Sequence, residues 1–492
     1  MNTELSLAAG NPFQRIPLKA SPHIRCANAL RMDWNDLLPA TECSHVLGNP
    51  PFVGAKFQSA EQKADVKNIA GHIKGNGLLD YVTLWYFKAV EYIKDTDISC
   101  AFVSTNSISQ GEQVGVLWAG LFRKGATIHF AHRTFAWQSE AKGKAHVHVV
   151  IIGFGLDDTD GKRIFDYDDI KAEPSERKAA NISPYLLEGC DITIQNRSKP
   201  LCDVPEIGIG NKPIDGGFYL FDDEEKEEFL RIEPAAEKYF RPWIGSKEFL
   251  HGYNRWCLWL GDAPANELRD LPECRKRIAQ VQALRRASKS AGTRKLADLP
   301  RRFHVENLPE GDFLVLPEVS SERRPYVPIG YLCPPTLCSN LVKLCPNATP
   351  YHFGVLTSAM HMAWVRQVCG RLESRYRYSA KLVYNNFPWP VEPTERQREK
   401  VANCGKAVLD ARQSYLDDGA TLADLYDPLN MPRNLLKAHQ VLDRAVDRCY
   451  RSKKFSSERE RIEHLFQLYE QLTAPLATAE NRKKKVRKKK NT

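Results

Sequence analysis

The feature that most constrains the fold is an alternation of helical and strand-like apolar patterns in the first third of the chain. Apolar residues recur at helical spacing over Leu78–Ile93 and again over Val114–Arg123. Segments rich in β-branched and aromatic residues lie at Ile98–Ser104, Ala126–Ala131 and His146–Phe154. Strands that alternate with helices predict an α/β layered unit with a largely parallel sheet. The last of these segments ends in an apolar run typical of a strand in or near the centre of that sheet.

The rest of the chain divides by composition. Residues 23–35 and 44–49 are predicted as short buried strands or strand ends. Residues 157–199 are polar and rich in turns, and short strand-like runs then lie among Pro, Gly and Arg residues. These runs are Phe218–Leu220, Trp256–Leu260 and Phe313–Leu316. The predicted organisation is a partial α/β domain in 1–170, a linker in 171–199, a mixed α/β domain in 200–390, a helical C-terminal domain in 391–475 and a basic disordered tail in 476–492.

The formal net charge of +10 is concentrated at the C-terminus. The tail Arg482–Lys490 carries eight positive charges, which leaves about +2 for the rest of the chain. A run of like charge is typical of a solvated tail, although it also attracts phosphate groups without reading a base sequence. By itself the tail is weak support for nucleic-acid binding.

Neither membrane insertion nor secretion is indicated. The longest apolar run, Val147–Gly155, is roughly half as long as the about 20 residues of a bilayer-spanning helix. The N-terminus lacks the basic-then-apolar layout of a secretory signal. Thirteen scattered cysteines fit reduced thiols, and the cluster of Cys333, Cys338 and Cys345 favours buried thiols over a metal site. We therefore expect a soluble cytoplasmic protein.

A short loop carries the strongest chemical signal. Asn49, Pro50, Pro51 and Phe52 follow the apolar residues Val46–Gly48. The side-chain carbonyl of Asn49 and the backbone carbonyl of Pro50 can accept hydrogen bonds from an exocyclic amine, which directs its lone pair toward a methyl group. The prolines stiffen the loop, and the Phe52 ring can stack on a base turned out of a duplex. Taken alone, four residues favour a proline-rich turn with Phe52 in the core, so the surrounding sequence decides.

The surrounding sequence resembles a known family. The loop is similar to motif IV of the amino-group (N6-adenine) DNA methyltransferases, and the whole chain resembles the Type IIL, MmeI-like restriction–modification family. The similar stretches follow one another in order along most of the chain. They are Asn28–Trp34, Leu47–Gly54, Phe102–Ile108, Phe130–Trp137, Ala145–Phe154, Gly252–Trp256, Ser374–Ser379 and Val383–Pro390.

The resemblance implies a fold and a set of roles. The fold is a partial Rossmann-like class I methyltransferase sheet, followed by a mixed α/β target recognition domain and a helical C-terminal domain. The loop Asn49–Phe52 would hold and stack a flipped adenine, and Phe135 or the nearby Trp137 would make a second aromatic contact to it. Trp137 is also suited to a core position, which we prefer. Asn28 stands where related enzymes often carry Asp against the adenine ring of the methyl donor, S-adenosylmethionine.

Two features of the family are not recognisable upstream of Asn28. One is a strand that leads into a glycine-rich loop and then an acidic residue for the ribose of the cofactor. The other is an N-terminal nuclease domain with an acidic metal-binding signature. We therefore expect the C-terminal portion of such an enzyme, truncated or split, which binds S-adenosylmethionine poorly by itself and does not cleave DNA. A separate N-terminal half that carries the cofactor loop is then a candidate partner.

Basic runs in residues 200–390 predict a surface for double-stranded DNA. They lie at 285–302, 320–324 and 371–377. Most such residues contact phosphates, and a few read base edges in the major groove. Pairing with a nearby Glu is an equal alternative for any one of them. The candidate DNA-binding residues are Arg286, Lys289, Arg294, Arg323, Arg375 and Arg377.

The leading hypothesis is site-specific adenine-N6 methylation of DNA within a restriction–modification or defence system. The alternative is a catalytically inactive, sequence-specific DNA-binding remnant or specificity module. Both predict DNA binding, and they differ in whether an added N-terminal half restores methyl transfer that depends on Asn49. Methylation of RNA or of protein glutamine shares the Asn-Pro-Pro-aromatic loop but leaves the basic domain without a role, so it ranks lower.

Overall fold

The computed structural model describes the backbone of residues 23–137, 147–167 and 169–489, and the side chains of 23–136, 148–167 and 169–474. The chain forms two compact units. The first comprises the residues up to Thr105 together with Ala119–Arg177, and the second comprises Asn106–Trp118 together with the chain from Lys178 onward. Each unit has its own sheets and its own buried side chains.

The secondary structure alternates in the first unit and becomes helical toward the C-terminus. The strands are β1 (His45–Gly48), β2 (Ser99–Thr105), β3 (Thr127–Trp137), β4 (Val147–Gly155), β5 (Lys162–Asp166), β6 (Ser175–Ala179), β7 (Gly208–Ile209), β8 (Leu220–Phe221), β9 (Phe240–Ile244), β10 (Trp256–Leu258), β11 (Phe313–Pro317), β12 (Val319–Ser320), β13 (Gly330–Leu332), β14 (Leu337–Cys338), β15 (Val342–Pro346), β16 (Gly370–Leu372) and β17 (Arg375–Arg377). The α-helices are α1 (Ala60–Ala70), α2 (Thr83–Tyr92), α3 (Glu112–Phe122), α4 (Asp223–Ile232), α5 (Ser246–His251), α6 (Ala265–Arg269), α7 (Pro272–Arg286), α8 (Ala291–Lys295), α9 (Pro350–Leu356), α10 (Ala359–Val368), α11 (Glu395–Asp417), α12 (Leu422–Leu425), α13 (Arg433–Tyr450) and α14 (Glu458–Lys489).

The first unit is built on a six-stranded sheet with the strand order β1-β2-β4-β3-β5-β6. Strand β1 pairs in parallel with β2, and β3 pairs in parallel with β5. Strand β4 lies antiparallel between β2 and β3, because the nine residues between β3 and β4 are fewer than the about 12 that a parallel crossover needs. Strands β1, β2, β3 and β5 run in one direction and β4 is reversed, so the predicted largely parallel sheet is confirmed in strand direction, although two of these four pairings are antiparallel. The near-central place of β4 is confirmed.

Helix α2 covers one face of this sheet. The ring of Tyr86 lies 5.2 Å from the ring of Phe102 on β2 and 5.1 Å from that of Phe154 on β4, and its hydroxyl is 2.9 Å from the Ser104 hydroxyl. Burial raises the pKa of the Tyr86 hydroxyl far above its usual value. The predicted helix Leu78–Ile93 is therefore present, although it begins at Thr83 because the preceding residues pack on the loop that follows β1.

The predicted strand over residues 23–35 is wrong. Asn28 accepts a hydrogen bond from the backbone N–H of Leu30 through its side chain, and Asp33 caps a short 3₁₀ helix, Trp34–Asp36, by accepting from the N–H of Asn35. Such local side-chain to backbone bonds compete with strand pairing. The neighbouring prediction for 44–49 is confirmed in β1, but β1 is exposed rather than buried.

The polar segment predicted as a linker is also ordered into the fold. Strands β5 and β6 extend the six-stranded sheet, and β6 lies within the predicted linker 171–199. Farther along, the side chains of Ile182, Tyr185 and Ile194 are at most 1% exposed. The many charged and turn-forming residues of this segment led to the prediction of a linker. The segment also contains short runs of apolar residues, which pack in the second unit.

The second unit combines small sheets with a helical region. Its sheets have the orders β14-β9-β10-β8, β13-β11-β15-β7 and β12-β17-β16. An aromatic core that includes Tyr219, Phe221 and Trp259 is buried around the first of them. The predicted strand-like runs are confirmed in part as β8, β10 and β11, and the helical region is confirmed as α11–α14. The predicted disordered tail 476–492 is wrong over residues 476–489, whose backbone continues helix α14, and residues 490–492 lie outside the described residues.

The cysteine cluster is partly buried. Cys338 and Cys345 lie in the core, where burial raises the pKa of their thiols to about 12 and about 11. Cys333 is exposed, contrary to the expectation of a buried thiol. No helix within the described residues combines the length and apolar character that a membrane crossing requires.

Candidate active site and DNA-binding surface

The Asn-Pro-Pro-Phe loop leaves the sheet at the carboxyl end of β1. Gly48, the last residue of β1, lies so close to Phe102 that a Cβ atom would approach its ring to 3.2 Å. Asn49 is exposed and its side chain has no partner among the described residues. Pro50 is buried, Pro51 is exposed and Phe52 is only partly exposed. The loop therefore has a fixed base and presents the polar Asn49 group to solvent.

The segment after the loop is anchored to the residues that lead into α2. The backbone carbonyl of Val53 accepts a hydrogen bond of 2.8 Å from the N–H of Tyr81, and the Asp80 carboxylate accepts one of 3.0 Å from the N–H of Ala55. The side-chain amide of Gln58 donates to the carbonyl of Leu79 at 2.9 Å. These contacts hold the downstream end of the loop, while β1 holds its upstream end. Sequence reasoning missed them because the partners lie more than 20 residues away.

Asn28 borders a hydrogen-bonded ion pair. Its side-chain carbonyl accepts from the N–H of Leu30 at 3.0 Å. Three residues on, the Arg31 guanidinium donates two hydrogen bonds to the buried Asp65 carboxylate, at 2.8 and 3.2 Å, and the Tyr81 hydroxyl donates a third at 2.7 Å. The bond from Arg31 holds the pKa of the Asp65 carboxyl below its usual range, despite burial. The pair fixes the segment around Asn28 against α1.

An aromatic cluster surrounds Phe135 on β3. The Phe135 ring stacks on Tyr167 at 5.1 Å, and the Tyr167 hydroxyl lies 2.8 Å from Nδ1 of His132. His132 stacks on Phe165 at 4.1 Å, and burial lowers the pKa of its imidazole. Tyr167 was not among the predicted site residues, since it lies in the polar, turn-rich stretch 157–199, which shows no periodic pattern. The side chain of Trp137, the second aromatic candidate, lies outside the described side chains.

Asn49 and Phe135 lie toward the same edge of the sheet. Strands β1 and β3 run in the same direction, so their carboxyl ends face one way. Strands β2 and β4 separate them, which sets the two strands roughly 14 Å apart at the usual spacing of about 4.8 Å. Ligand sites in open α/β sheets form outside the carboxyl ends of the strands. The arrangement suits a flat group held above this edge between two aromatic side chains.

Three of the predicted DNA-binding residues are exposed and unpaired within the described part of the chain. Arg286 ends helix α7, Lys289 follows it, and Arg323 lies in the turn after β12. Arg294 differs, because its guanidinium donates at 2.9 Å to the carbonyls of Ser288 and Lys289. These two bonds leave only some of the guanidinium N–H groups available to a phosphate.

Arg375 and Arg377 on β17 are both paired with carboxylates. Arg375 donates to Glu373 at 2.8 Å, and Arg377 donates to Glu318 at 3.0 Å. Glu318 also accepts from Lys343 at 2.7 Å. Burial alone would raise the pKa of Glu318, but the bonds from Lys343 and Arg377 hold it below its usual range. The alternative of local pairing with Glu therefore describes both arginines in this structure.

Arg285, which opens the first basic run, is a structural residue. Its side chain is fully buried, with 0% of its surface exposed. The guanidinium donates to backbone carbonyls of five residues. These are Pro213, Ile214, Leu296, Leu299 and Arg302. No feature of the sequence distinguishes Arg285 from the other arginines of the run.

The sheet, with its polar loop after β1 and a reversed β4, places the first unit in the class of α/β methyltransferase folds. Comparison with known proteins is specific. A model of the MmeI DNA-methyltransferase domain matches residues 1–166, one of the MmeI target recognition domain matches 188–391, and one of the MmeI C-terminal domain matches 393–477. The chain belongs to the MmeI family, whose domains follow one another along it in this order.

Individual relatives agree with this assignment. The chain is 41% identical over 476 residues to DNA methyltransferase A of Bacillus subtilis (strain 168). The aligned region covers 96% of this chain and 53% of the relative. The solved structure of the Type IIL restriction–modification enzyme MmeI in complex with DNA is 49% identical, with a TM-score of 0.85 over 96% of this chain and 63% of that one. The chain thus spans about half the length of the curated relative it matches.

Proposed function

We propose that this chain carries the base-binding and target-reading parts of a site-specific DNA (adenine-N6) methyltransferase. The observation that carries the proposal is the Asn49–Phe52 loop, which follows β1 at the carboxyl edge of the sheet and is anchored on its downstream side, in a domain of the MmeI family. The open Asn49 side chain supports a role in binding a group from outside the chain. The biological setting is a restriction–modification or defence system.

The loop suits the chemistry of an exocyclic amine. The Asn49 side-chain carbonyl and the Pro50 backbone carbonyl accept the two N–H groups of an adenine amine, which leaves its lone pair free to attack a methyl group. Phe52 stacks on the flipped base, and Phe135, held by Tyr167, contacts it from the β3 side. Extrusion of the base from the duplex gives these groups access to it.

The methyl donor implied by the family is S-adenosylmethionine, which supplies an electrophilic methyl group when bound. The described residues do not make up a complete pocket for it. Asn28 is the candidate contact to its purine, and the Asn28 carbonyl already accepts a bond from the N–H of Leu30. We therefore propose that donor binding needs a separate N-terminal half, and that this chain alone binds the donor weakly.

The proposed substrate is double-stranded DNA, read by the second unit. Arg286, Lys289 and Arg323 are exposed and would contact phosphates. Arg375 and Arg377 are held by Glu373 and Glu318 in fixed orientations, which suits bidentate recognition of a base edge after exchange of partners. Arg294 completes the set of proposed DNA contacts.

The test separates catalysis from DNA binding. Asn49→Ala is expected to reduce methyl transfer to background while it changes duplex affinity less than twofold, because Asn49 is exposed and lies in the catalytic loop. Transfer from labelled S-adenosylmethionine is measured with the companion N-terminal half present, and affinity by fluorescence anisotropy. Asn403→Ala, at an exposed helical asparagine, is the control. Equal loss of transfer and affinity in the Asn49 variant would contradict the assigned roles.

The alternative function is a DNA-binding remnant or specificity module without catalysis. The hydrogen bond that the Asn28 side-chain carbonyl, the candidate donor contact, already accepts from Leu30 favours it. It predicts duplex binding with no methyl transfer under any condition, including addition of the N-terminal half. Calorimetry with S-adenosylmethionine, with and without duplex DNA, is the first discriminating measurement.

A further inference from the structure

Helices α11 and α13 pack antiparallel in the second unit and leave a groove between them. The side chain of Gln397, near the start of α11, donates a hydrogen bond of 2.9 Å to the carbonyl of Arg448, near the end of α13. Toward the opposite ends, the Tyr415 hydroxyl donates one of 2.8 Å to the side chain of Asn434. The groove has a volume of about 690 Å³, within the usual range for binding sites in proteins. Because hydrogen bonds hold both walls, the groove is formed before a ligand arrives.

The residues that line the groove recur at helical spacing on both walls. On α11 they are Arg396, Glu399, Lys400, Asn403, Cys404 and Ala407. On α13 they are Asn434, Lys437, Ala438 and Val441. Residues three and four apart lie on one face of a helix, so each wall presents a single stripe. At a rise of about 1.5 Å per residue the α11 stripe is about 16 Å long, which matches about three turns of a helix laid along it.

The middle of the groove is apolar. Cys404 and Ala407 line it on α11. Ala438 and Val441 line it on α13, and Val441 is 37% exposed. Burial raises the pKa of the Cys404 thiol, in agreement with its place in the floor of the groove. An apolar side chain seated here would remove this surface from water, and the two alanines leave room for it.

Positive charges lie at both ends of the groove. Arg396 and Lys400 are near the start of α11, whereas Lys437 is near the start of α13, at the opposite end because the helices are antiparallel. None of the three has an ion-pair partner among the described side chains. Glu399 is the one carboxylate among the described lining residues. The groove therefore combines an apolar middle with cationic ends.

We infer that this groove binds an acidic, amphipathic α-helix of another protein. The apolar stripe of that helix packs on the middle of the groove, and carboxylates near its two ends pair with the three cations. Recognition of this kind is the helix-in-groove mode, in which apolar anchors three and four residues apart carry the contact. The inference adds a protein partner and does not depend on methyl transfer.

Three other occupants fit the groove less well. Duplex DNA offers phosphates rather than an apolar face, and protein surfaces that bind DNA are much more positively charged than this one. The cationic tail Arg482–Lys490 of the chain would be repelled by both ends of the groove. A second copy offers the acidic helix α4. Its exposed face carries Glu224, Glu227 and Glu228, and its Phe229 is buried, so α4 lacks a continuous apolar stripe.

The experiment uses a designed helical peptide of about 18 residues with Leu and Ala along one face and Glu near both ends. Circular dichroism first verifies that it is helical. Binding to the full chain is measured by calorimetry at low salt, beside a second peptide in which Lys replaces each Glu. The acidic peptide is expected to bind with a Kd of about 10 µM and the basic one at least about 10-fold more weakly. No binding of the acidic peptide up to about 1 mM would overturn the inference.

Alkylation of Cys404 locates the bound peptide. With peptide at about 10 times its Kd, the reaction of this thiol with N-ethylmaleimide is expected to slow about 10-fold, as followed by mass spectrometry. Cys333, an exposed thiol outside the lining, is the internal control and should react at an unchanged rate. Equal protection of both thiols, or of neither, would overturn the inference. Protection of Cys404 by duplex DNA, or by a concentration-dependent dimer without peptide, would overturn it in favour of those occupants.

A charge exchange tests the assigned contacts. Lys437→Glu is expected to weaken the acidic peptide at least about 5-fold and to strengthen the basic one, because it reverses the charge at one end of the groove. Lys406→Glu, at an exposed lysine of α11 outside the lining, is expected to leave both affinities within about twofold. Both lysines are exposed, so both variants should keep the thermal midpoint of the parent chain. Equal effects of the two substitutions would contradict the assignment of the groove.

Discussion

At the scale of single residues, Arg285 and Arg286 are neighbours with opposite environments. Arg285 is fully buried and donates hydrogen bonds to the backbone carbonyls of five residues, whereas Arg286 is exposed at the end of α7. Removal of a buried guanidinium leaves its acceptors without partners, and each unsatisfied group costs about 1–3 kcal/mol. Arg285→Ala is therefore expected to lower the free energy of unfolding by about 4 kcal/mol or more, as measured by urea denaturation.

The neighbouring substitution serves as the matched control. Arg286→Ala is expected to change the free energy of unfolding by less than about 0.5 kcal/mol, as exposed positions usually do. If Arg286 contacts phosphate, the variant also weakens binding to all duplexes alike. It then lowers the slope of log affinity against log salt concentration by about one. A large loss of stability in Arg286→Ala, or none in Arg285→Ala, would contradict the assignment of roles.

Two buried histidines give a second prediction, at the scale of elements, because they tie helices to neighbouring segments. His361 on α10 contacts the Tyr378 hydroxyl, and His439 on α13 contacts the Tyr426 hydroxyl, each at 3.0 Å. Burial lowers the pKa of both imidazoles to about 3. Below the unfolded pKa of about 6.5, the unfolded chain binds protons that the folded chain does not, so stability falls as pH falls. From pH 7 to pH 5 each histidine costs about 2 kcal/mol.

One buried carboxyl group has the opposite effect on stability as the pH falls. Burial raises the pKa of Asp443 on α13 to about 6, so the folded state binds its proton first and gains about 1 kcal/mol over the same pH range. Together these three groups are expected to lower the stability by about 3 kcal/mol over this range. His361→Gln should lose about 2 kcal/mol less than the parent chain between pH 7 and pH 5. The exposed-residue variant His304→Gln should match the parent. Equal pH dependence in both variants would refute this account.

The elements that the sequence predicted well are those with a strong periodic pattern. Strands β2 and β4 and helix α3 lie within two residues of their predicted bounds, because their apolar spacing reflects burial on one or both faces. The errors have local causes. Side chains of Asn28 and Asp33 cap turns where a strand was expected, and β5 and β6 are too short and polar to show a period.

The part of the candidate site that is contiguous in sequence could be predicted from the sequence. Asn49–Phe52 is a sequence motif, and its place after a strand follows from the pattern before it. The anchors at Asp80 and Tyr81, and the stacking of Tyr167 on Phe135, depend on contacts between distant residues. Which arginine of a basic run turns inward is likewise decided by tertiary packing, as Arg285 shows.

At the scale of the whole molecule, charge and specificity are expected to reside in different parts of the chain. The tail Arg482–Lys490 holds eight of the net ten positive charges, whereas Arg375 and Arg377 are fixed by carboxylates in the second unit. A cationic tail attracts phosphates without reading bases. Deletion of residues 476–492 is therefore expected to weaken binding to target and non-target duplexes by the same factor, with affinity measured over a range of salt concentrations.

The salt series makes this last prediction quantitative. Each phosphate contact contributes about 0.9 to the slope of log affinity against log salt, so loss of eight charges lowers the slope by at most about 7. A tail of equal length with its Lys and Arg residues replaced by Gln should behave like the deletion, which separates charge from chain length. Arg377→Gln should instead reduce the ratio of target to non-target affinity. It should leave the slope of log affinity against log salt largely unchanged. A tail deletion that changed this ratio would show that the tail takes part in reading the target sequence.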